Sequence, residues 1–136
     1  MCLPRLSTPP RVLVIEDQPT VREAVQQLLQ YFGYACGTAA DGLSGLRRFD
    51  SEPWDLVITD LTLPDTSGWH LISVIRTRVP TLPLILITGA DDPGVRTRAR
   101  DCHVSVLLKP FGLDALKAAV IDAFDNRRGD TESHPT

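Results

Sequence analysis

Short apolar runs alternate along the chain with longer stretches in which apolar residues recur at helical spacing. The runs are rich in Val, Ile and Leu and are bounded by turn-forming residues, as β-strands are. They lie at residues 11–15, 34–38, 55–59, 84–88 and 104–108. Strands that alternate with helices are typical of βαβ units, in which helices cover both faces of a parallel sheet. The pattern therefore predicts an α/β domain with five strand–helix pairs.

Two of the runs also indicate where their strands lie in the sheet. Residues 34–38 read YACGT, and this mixed character favours an edge strand. Residues 84–88 read LILIT, which is apolar on both faces and therefore predicts an interior strand.

The helical stretches differ in the strength of their apolar stripes. The first and last are the clearest, and their stripes consist of Val21, Ala24, Val25, Leu28, Leu29 and Phe32, and of Leu113, Leu116, Val120, Ile121 and Phe124. Further helices are predicted at about residues 42–49, around residues 69–75 and from Pro93 onward. The helix after Pro93 has Val95 as its one large apolar residue, so we expect it to be weakly anchored.

Length and composition limit the domain count and the function classes. The 136 residues fit one domain, predicted at residues 11–126, with disordered tails at 1–10 and 127–136. A net charge of -3 gives no bulk attraction to nucleic acid. Cys2, Cys36 and Cys102 lack metal-ligand spacing, and no apolar run is long enough to span a bilayer. We therefore expect a cytoplasmic protein that binds neither nucleic acid nor membrane.

Polar side chains stand where four of the predicted strands end. Glu16 and Asp17 follow the first, Asp60 the third, Thr88 ends the fourth and Lys109 follows the fifth. Parallel α/β sheets bind ligands in the crevice at the carboxyl ends of their strands, so these groups are expected to converge there. Carboxylates brought together repel one another unless a cation lies between them, and oxygen ligands of this kind suit Mg²⁺.

The same groups suit phosphoryl chemistry. A phosphoryl group carries spread negative charge, which Mg²⁺, a lysine ammonium and a hydroxyl donor can stabilise. A carboxylate in the middle of such groups can act as a nucleophile and form an acyl phosphate. Asp60 is the predicted nucleophile.

Four motifs in this order carry a resemblance to a known family: VLVIEDQP, DLVITDLTLPDTSGW, LILITGAD and VLLKPF. Together they resemble the receiver domain of two-component response regulators over residues 11–126. The resemblance implies a flavodoxin-like, doubly wound sheet of five parallel strands in the order 2-1-3-4-5, surrounded by five helices. It also implies a phosphoacceptor signalling domain, with at most self-phosphorylation and autodephosphorylation as its own catalysis.

The resemblance further implies a Mg²⁺ site. Asp17 and Asp60 look like direct ligands, Glu16 like a ligand through water, and Thr62 like a ligand through its main-chain carbonyl. The family more often has Asp where this chain has Glu16, a change that a water-mediated ligand tolerates.

Around the phosphoryl group, the resemblance implies three further roles. Lys109 looks like the cation that binds the phosphoryl oxygens, and Thr88 like the hydroxyl that turns toward them. Pro110 resembles the family's proline, which a cis peptide bond often precedes. One position departs from the pattern, because Val106 stands where the family often has an aromatic residue that moves after phosphorylation.

The implied partners are a histidine kinase or a histidine phosphotransfer protein as donor and an unidentified protein target. The sequence leaves open a homodimer of the phosphorylated form. Two alternatives also stay open: a pseudo-receiver that is never phosphorylated, and a haloacid-dehalogenase-like phosphohydrolase. The latter usually carries a second Asp two residues after the nucleophile, where this chain has Thr62, and its further acids follow the lysine.

Overall fold

The computed structural model of the chain describes residues 8–133 and the side chains of residues 8–125. The strands are β1 (Arg11–Ile15), β2 (Ala35–Ala39), β3 (Leu56–Asp60), β4 (Leu84–Thr88) and β5 (Ser105–Leu108). The helices are α1 (Pro19–Tyr31), α2 (Gly42–Ser51), α3 (Gly68–Arg78), α4 (Pro93–Asp101) and α5 (Leu113–Ser133). Strand and helix alternate throughout, as the apolar pattern predicts.

The strands form one parallel sheet in the order β2-β1-β3-β4-β5. The predicted flavodoxin-like, doubly wound architecture with five helices is confirmed. β2 lies at one edge and β4 in the interior, also as predicted. Strand order reverses between β1 and β3, which are neighbours although β2 separates them in sequence. This switch point opens a crevice at the carboxyl ends of both strands.

Alternate strand residues pack into two cores, one on each face of the sheet. On one face, Leu13 and Leu86 belong to a cluster that includes Phe49 of α2 and Ile75 of α3. On the other face, the buried apolar residues of the strands pack against α1 and α5. Each helix thus covers one face of a sheet whose inner strands are apolar on both sides. The rigid sheet fixes the positions of the residues that follow β1, β3 and β5.

The last helix departs from the predicted pattern in its burial. Leu116 and Val120 are fully buried, whereas Leu113 and Ile121 of the same predicted stripe are 43% and 45% exposed. One row of α5 side chains faces the sheet, and the flanking positions face outward.

The bounds of the strands agree with the predicted ones to within a few residues. Helix α5 continues to Ser133, past the predicted domain end at residue 126. Residues 1–7 and 134–136 of the two predicted tails lie outside the described residues. The domain boundaries and the disorder of the tails stay predictions. None of the helices described within residues 8–133 has the length and apolar character needed to cross a membrane.

Candidate functional site

The sheet brings three carboxylates together at its switch point. Glu16 and Asp17 follow β1, and Asp60 ends the neighbouring strand β3. One carboxylate oxygen of each lies within 4.8 Å of those of the other two. Glu16 is 0% exposed and Asp60 7% exposed, whereas Asp17 lies at the surface. Two buried acids are thus combined with one that solvent can reach.

Lys109 approaches the two buried carboxylates from the end of β5. Its main-chain N–H donates to the carbonyl oxygen of Thr88 at 2.8 Å, which ties the residue to the end of β4. Its Nζ donates to Oδ2 of Asp60 at 3.1 Å and lies 3.3 Å from Oε1 of Glu16. The ammonium group therefore bridges both acids, as the convergence of the strand ends predicts.

Burial makes Glu16 an unusual carboxylate. The loss of solvent raises its pKa, and the negative charge of Asp60 adds to this, against the opposing effects of Lys109 and of the hydrogen bond from Gln18 N to Oε2 at 3.1 Å. Its Oε1 accepts no hydrogen bond from the described residues, although Lys109 Nζ is at ion-pair distance. A buried carboxylate oxygen without a hydrogen-bond donor is costly unless another cation or a water satisfies it.

Lys109 keeps its charge despite partial burial. Burial alone would lower the pKa of its ammonium group, but the hydrogen bond and charge of Asp60, together with the charge of Glu16, outweigh that effect and raise the pKa. The side chain is therefore a fixed positive charge across the neutral range. A fixed cation beside a carboxylate suits the binding of an anionic group.

The loop after β3 folds back closely against Asp60. Thr62 N donates to Oδ1 of Asp60 at 3.4 Å, and Gly68 N donates to the carbonyl oxygen of Leu61 at 2.7 Å. A Cβ atom at Gly68 would overlap the carbonyl oxygen of Asp60, so the start of α3 lies directly against the strand end. The two Asp60 carboxylate oxygens thus have different donors, a main-chain N–H and an ammonium group.

Thr88 lies beside this group at the end of the next strand. Its side chain is 3% exposed, and its hydroxyl oxygen accepts a hydrogen bond from Ala90 N at 3.1 Å. The hydroxyl proton remains available for donation. The structure thus brings Thr88 to the same edge of the sheet as Asp60, and the next two residues, Gly89 and Ala90, are exposed.

Two further features bear on the sequence predictions. The peptide bond between Lys109 and Pro110 is cis, as the resemblance suggests. Val106 is half-buried on β5, so the position at which an aromatic residue is frequent in the family holds a smaller aliphatic side chain.

Arg22 of α1 is a site residue that sequence reasoning missed. Its guanidinium group donates to the main-chain carbonyl oxygens of Glu16 at 2.8 Å and Asp17 at 3.4 Å. The sequence offered one signal, a cation near the start of a helix that has no acidic residue in its first turn. Cations are unfavourable at that end of a helix.

The donor set fits a hard divalent cation. Glu16, Asp17 and Asp60 offer carboxylate oxygens, the type of ligand that Mg²⁺ prefers. The unsatisfied Oε1 of Glu16 and the exposure of Asp17 leave room for an ion that keeps several of its waters.

Comparisons with known proteins agree on one family. A family model described as "Response regulator receiver domain" matches residues 12–121. The transcriptional activator protein IrlR of Burkholderia pseudomallei is 31% identical over 111 residues, which are 81% of this chain and 48% of that protein. The probable transcriptional regulatory protein TcrX of Mycobacterium tuberculosis is 34% identical over 110 residues, 78% of this chain and 46% of that protein. The chain spans about half the length of these relatives.

A sensor protein and two solved structures show the same similarity. The sensor protein EvgS of Escherichia coli K12 is 31% identical over 107 residues, 78% of this chain but 9% of the sensor. A response regulator receiver domain protein from Clostridium thermocellum is 29% identical with a TM-score of 0.80, and the match covers 88% of this chain and 97% of that one. The chemotaxis response regulator CheY4 of Vibrio cholerae is 25% identical with a TM-score of 0.80, over 85% of this chain and 99% of that one.

Proposed function

The chain belongs to the response regulator receiver family, and on that premise we propose that Asp60 is its phosphoacceptor. Receiver domains take their signals from histidine kinases, so the proposed donor is a phosphohistidine on a kinase or on a histidine phosphotransfer protein. The family match does not favour a phosphohydrolase of the haloacid-dehalogenase type.

One observation carries the proposal. The ammonium group of Lys109 lies 3.1 Å from Oδ2 of Asp60, at the point where three acidic side chains converge. An acceptor carboxylate needs positive charge around it, because the incoming phosphoryl group is itself negative. The site supplies that charge from Lys109 and from the cation that the acidic group suits.

The transfer assigns a role to each residue around Asp60. A carboxylate oxygen of Asp60 attacks phosphorus, the new O–P bond forms, and the P–N bond to the donor histidine breaks with its electron pair left on the imidazole. The ammonium group of Lys109 moves from Asp60 to the transferred phosphoryl oxygens. The Thr88 hydroxyl donates a hydrogen bond to one of these oxygens. The open space around Gly89, where an added Cβ would meet no atom within 4 Å, leaves room for the group.

Mg²⁺, when bound, would neutralise charge that develops on the phosphoryl oxygens. Asp17 and Asp60 are the proposed direct ligands, Glu16 the ligand through water and Thr62 the ligand through its carbonyl oxygen. Glu16 fits the outer role because its side chain is fully buried and its Oε2 already accepts a hydrogen bond from Gln18 N.

The proposed output is a change of the surface that binds a target protein. α4 is the element that we expect to respond, because Ala99 is its one buried residue and the loop before it contains Ala90, which donates to Thr88. The proposed target is another protein, which this chain does not identify. A homodimer of the phosphorylated chain is an alternative output. We place this function in the cytoplasm, where the donor domains of histidine kinases act.

The assignment of the acceptor can be tested chemically. The protein is incubated with phosphoramidate and Mg²⁺, treated with borohydride, which reduces an acyl phosphate to an alcohol, and digested for peptide mass analysis. We expect Asp60 to be converted to homoserine in the wild type and in the control Asp101→Asn, which changes an exposed acid of α4. The Asp60→Asn variant should show no reduced residue.

Two outcomes would contradict the assignment. Reduction at another carboxylate would move the acceptor away from Asp60. Absence of reduction, in protein that binds Mg²⁺, would favour a pseudo-receiver that acts only by protein contacts.

A further inference from the structure

Arg22 contacts the acidic group through main-chain atoms alone. Its guanidinium group donates to the carbonyl oxygen of Glu16 at 2.8 Å and reaches that of Asp17 at 3.4 Å. Over residues 8–125 no carboxylate lies within ion-pair distance of Arg22. The arginine therefore leaves the carboxylate oxygens of both acids available to a metal ion, which a direct ion pair would not.

Glu16 is held on three sides, and Arg22 supplies one of the contacts. The main-chain N–H of Glu16 donates to the carbonyl oxygen of Ala39 on β2 at 3.0 Å, and Oε2 of Glu16 accepts a hydrogen bond from Gln18 N at 3.1 Å. The bond from Arg22 fixes its carbonyl group. With the peptide groups on both sides of the residue fixed, Oε1 stays directed toward Lys109 and the other acids.

Asp17 has fewer other contacts than Glu16 to hold its main chain. The residue lies after the end of β1 and is exposed, so no strand pairing holds it. Its carbonyl oxygen accepts a hydrogen bond from the guanidinium group of Arg22 at 3.4 Å, and Asp17 has no other side-chain hydrogen bond among residues 8–125. A direct metal ligand on a short loop is useful only if its main chain is held in place, because each alternative orientation lowers the affinity for the ion.

The position of Arg22 in its helix points the same way. It is close to the start of α1, where Pro19 is near the N-terminus and the cap residue Gln18 makes no side-chain cap bond. A cation at this end opposes the helix dipole, and the helix has no acidic residue in its first turn to offset it. A residue that is unfavourable for its own helix is often retained for a contact outside that helix, here the contact with the two carbonyl groups.

We infer that Arg22 is a positioning residue that holds Glu16 and Asp17, through their backbone carbonyls, in the orientation that binds Mg²⁺. The inference rests on the proposed function, because it assumes the metal site. Outer contacts of this kind commonly contribute ten- to hundredfold to metal affinity. The donors of Arg22 hold the two carbonyl groups, whereas its positive charge opposes Mg²⁺, so substitutions of Arg22 separate the two effects.

The test is the Mg²⁺ affinity measured by isothermal titration calorimetry on the full chain. We expect Arg22→Met to weaken binding by about tenfold, and Arg22→Lys, which keeps the charge and one donor, to recover most of the loss. Arg22→Gln keeps a donor and removes a positive charge that repels Mg²⁺, so it should bind at least as tightly as Arg22→Lys. The matched control Arg100→Met removes an exposed arginine at the end of α4, which leads to the opposite edge of the sheet, and should bind as the wild type does.

Each result decides the inference. Wild-type or tighter Mg²⁺ binding in Arg22→Met, or in Arg22→Leu if the Met variant does not fold, would overturn the inference. A lower stability to urea in EDTA with unchanged Mg²⁺ affinity would likewise show a structural role only. The Asp17→Asn variant separates failure of the inference from failure of the proposed function. If Asp17→Asn does not weaken Mg²⁺ binding relative to the wild type, the proposed metal site itself is wrong, whatever Arg22 does.

Discussion

At the scale of single residues, Lys109 contacts two buried acids, and we propose that it also binds the transferred phosphoryl oxygens. It neutralises the buried acids Glu16 and Asp60 while the phosphoryl group is absent, at 3.3 Å and 3.1 Å. A divalent cation competes with it for the same oxygens. Burial opposes the charged form of Lys109, but the hydrogen bond and charge of Asp60 and the charge of Glu16 raise its pKa, so the ammonium group stays charged.

We predict opposite effects of Lys109→Met on two measurements. Lys109→Met should bind Mg²⁺ several-fold more tightly than the wild type does, because the competing ammonium group is gone. The rate of phosphorylation by a small donor should fall by at least about tenfold, since the transferred oxygens lose their cation. Calorimetry and intact mass give the two values, with Lys117→Met, a change of an exposed lysine on α5, as the control. Weaker Mg²⁺ binding in Lys109→Met would contradict this balance of charges.

Gly68 illustrates a backbone constraint on the same site. Gly68→Ala would place a methyl group on the carbonyl oxygen of Asp60, so α3 or the strand end must shift. We expect a loss of about 2 kcal/mol or more in the free energy of unfolding, as for an overpacked core, along with slower phosphorylation. Gly112→Ala is the control, because a Cβ there meets nothing within 4 Å. Urea unfolding checks the prediction, and equal stability of both variants would refute it.

The sequence predicted that Glu16, Asp17, Asp60, Thr88 and Lys109 lie together, because each stands at the end of a readable apolar strand, and the structure brings them together. The sequence could not identify Arg22, whose role depends on carbonyl groups that no residue type encodes. The same limit applies to Gly68, where a side chain is excluded because the main chain of Asp60 lies too close. Contacts to main-chain atoms such as these are visible only once the chain has folded.

At the scale of elements, α4 is held less firmly than the other helices. Ala99 is its one buried residue, and Val95 is half-buried. A cation–π contact links it to α3, because the guanidinium carbon of Arg98 lies 4.6 Å from the centre of the Trp69 ring. Trp69 directly follows Gly68, so this contact connects α4 to the part of the chain that lies against Asp60. A weakly buried helix with a contact of this kind can change its position at low free-energy cost.

The prediction for α4 concerns hydrogen exchange. Arg98→Ala should speed the exchange of α4 amides by about two- to fivefold, the equivalent of a cation–π contact of about 0.5–1 kcal/mol. Exchange in β3 and β4 should stay unchanged. Arg100→Ala, on the same helix, is the matched control. Equal exchange in both variants would mean that the Trp69 contact does not anchor α4.

At the scale of the whole molecule, the fold followed from the apolar pattern together with the resemblance. Alternation of strand and helix predicted the α/β class, and the order of the strands came from the family and is confirmed by the structure. The pattern was less informative about α5, where Leu113 and Ile121 continue the stripe yet face outward. Apolar periodicity shows which side of a helix is apolar, but not how wide a strip of it the sheet covers.

The central claim is that Asp60 accepts a phosphoryl group in a site that needs a divalent cation. The measurement that tests it most directly is intact mass after incubation with acetyl phosphate, with and without Mg²⁺, for the wild type and Asp60→Asn. We expect a gain of one phosphoryl group in the wild type, which requires Mg²⁺ and is absent from Asp60→Asn. No gain in protein that binds Mg²⁺, with rapid hydrolysis excluded by a beryllofluoride binding test, would contradict it.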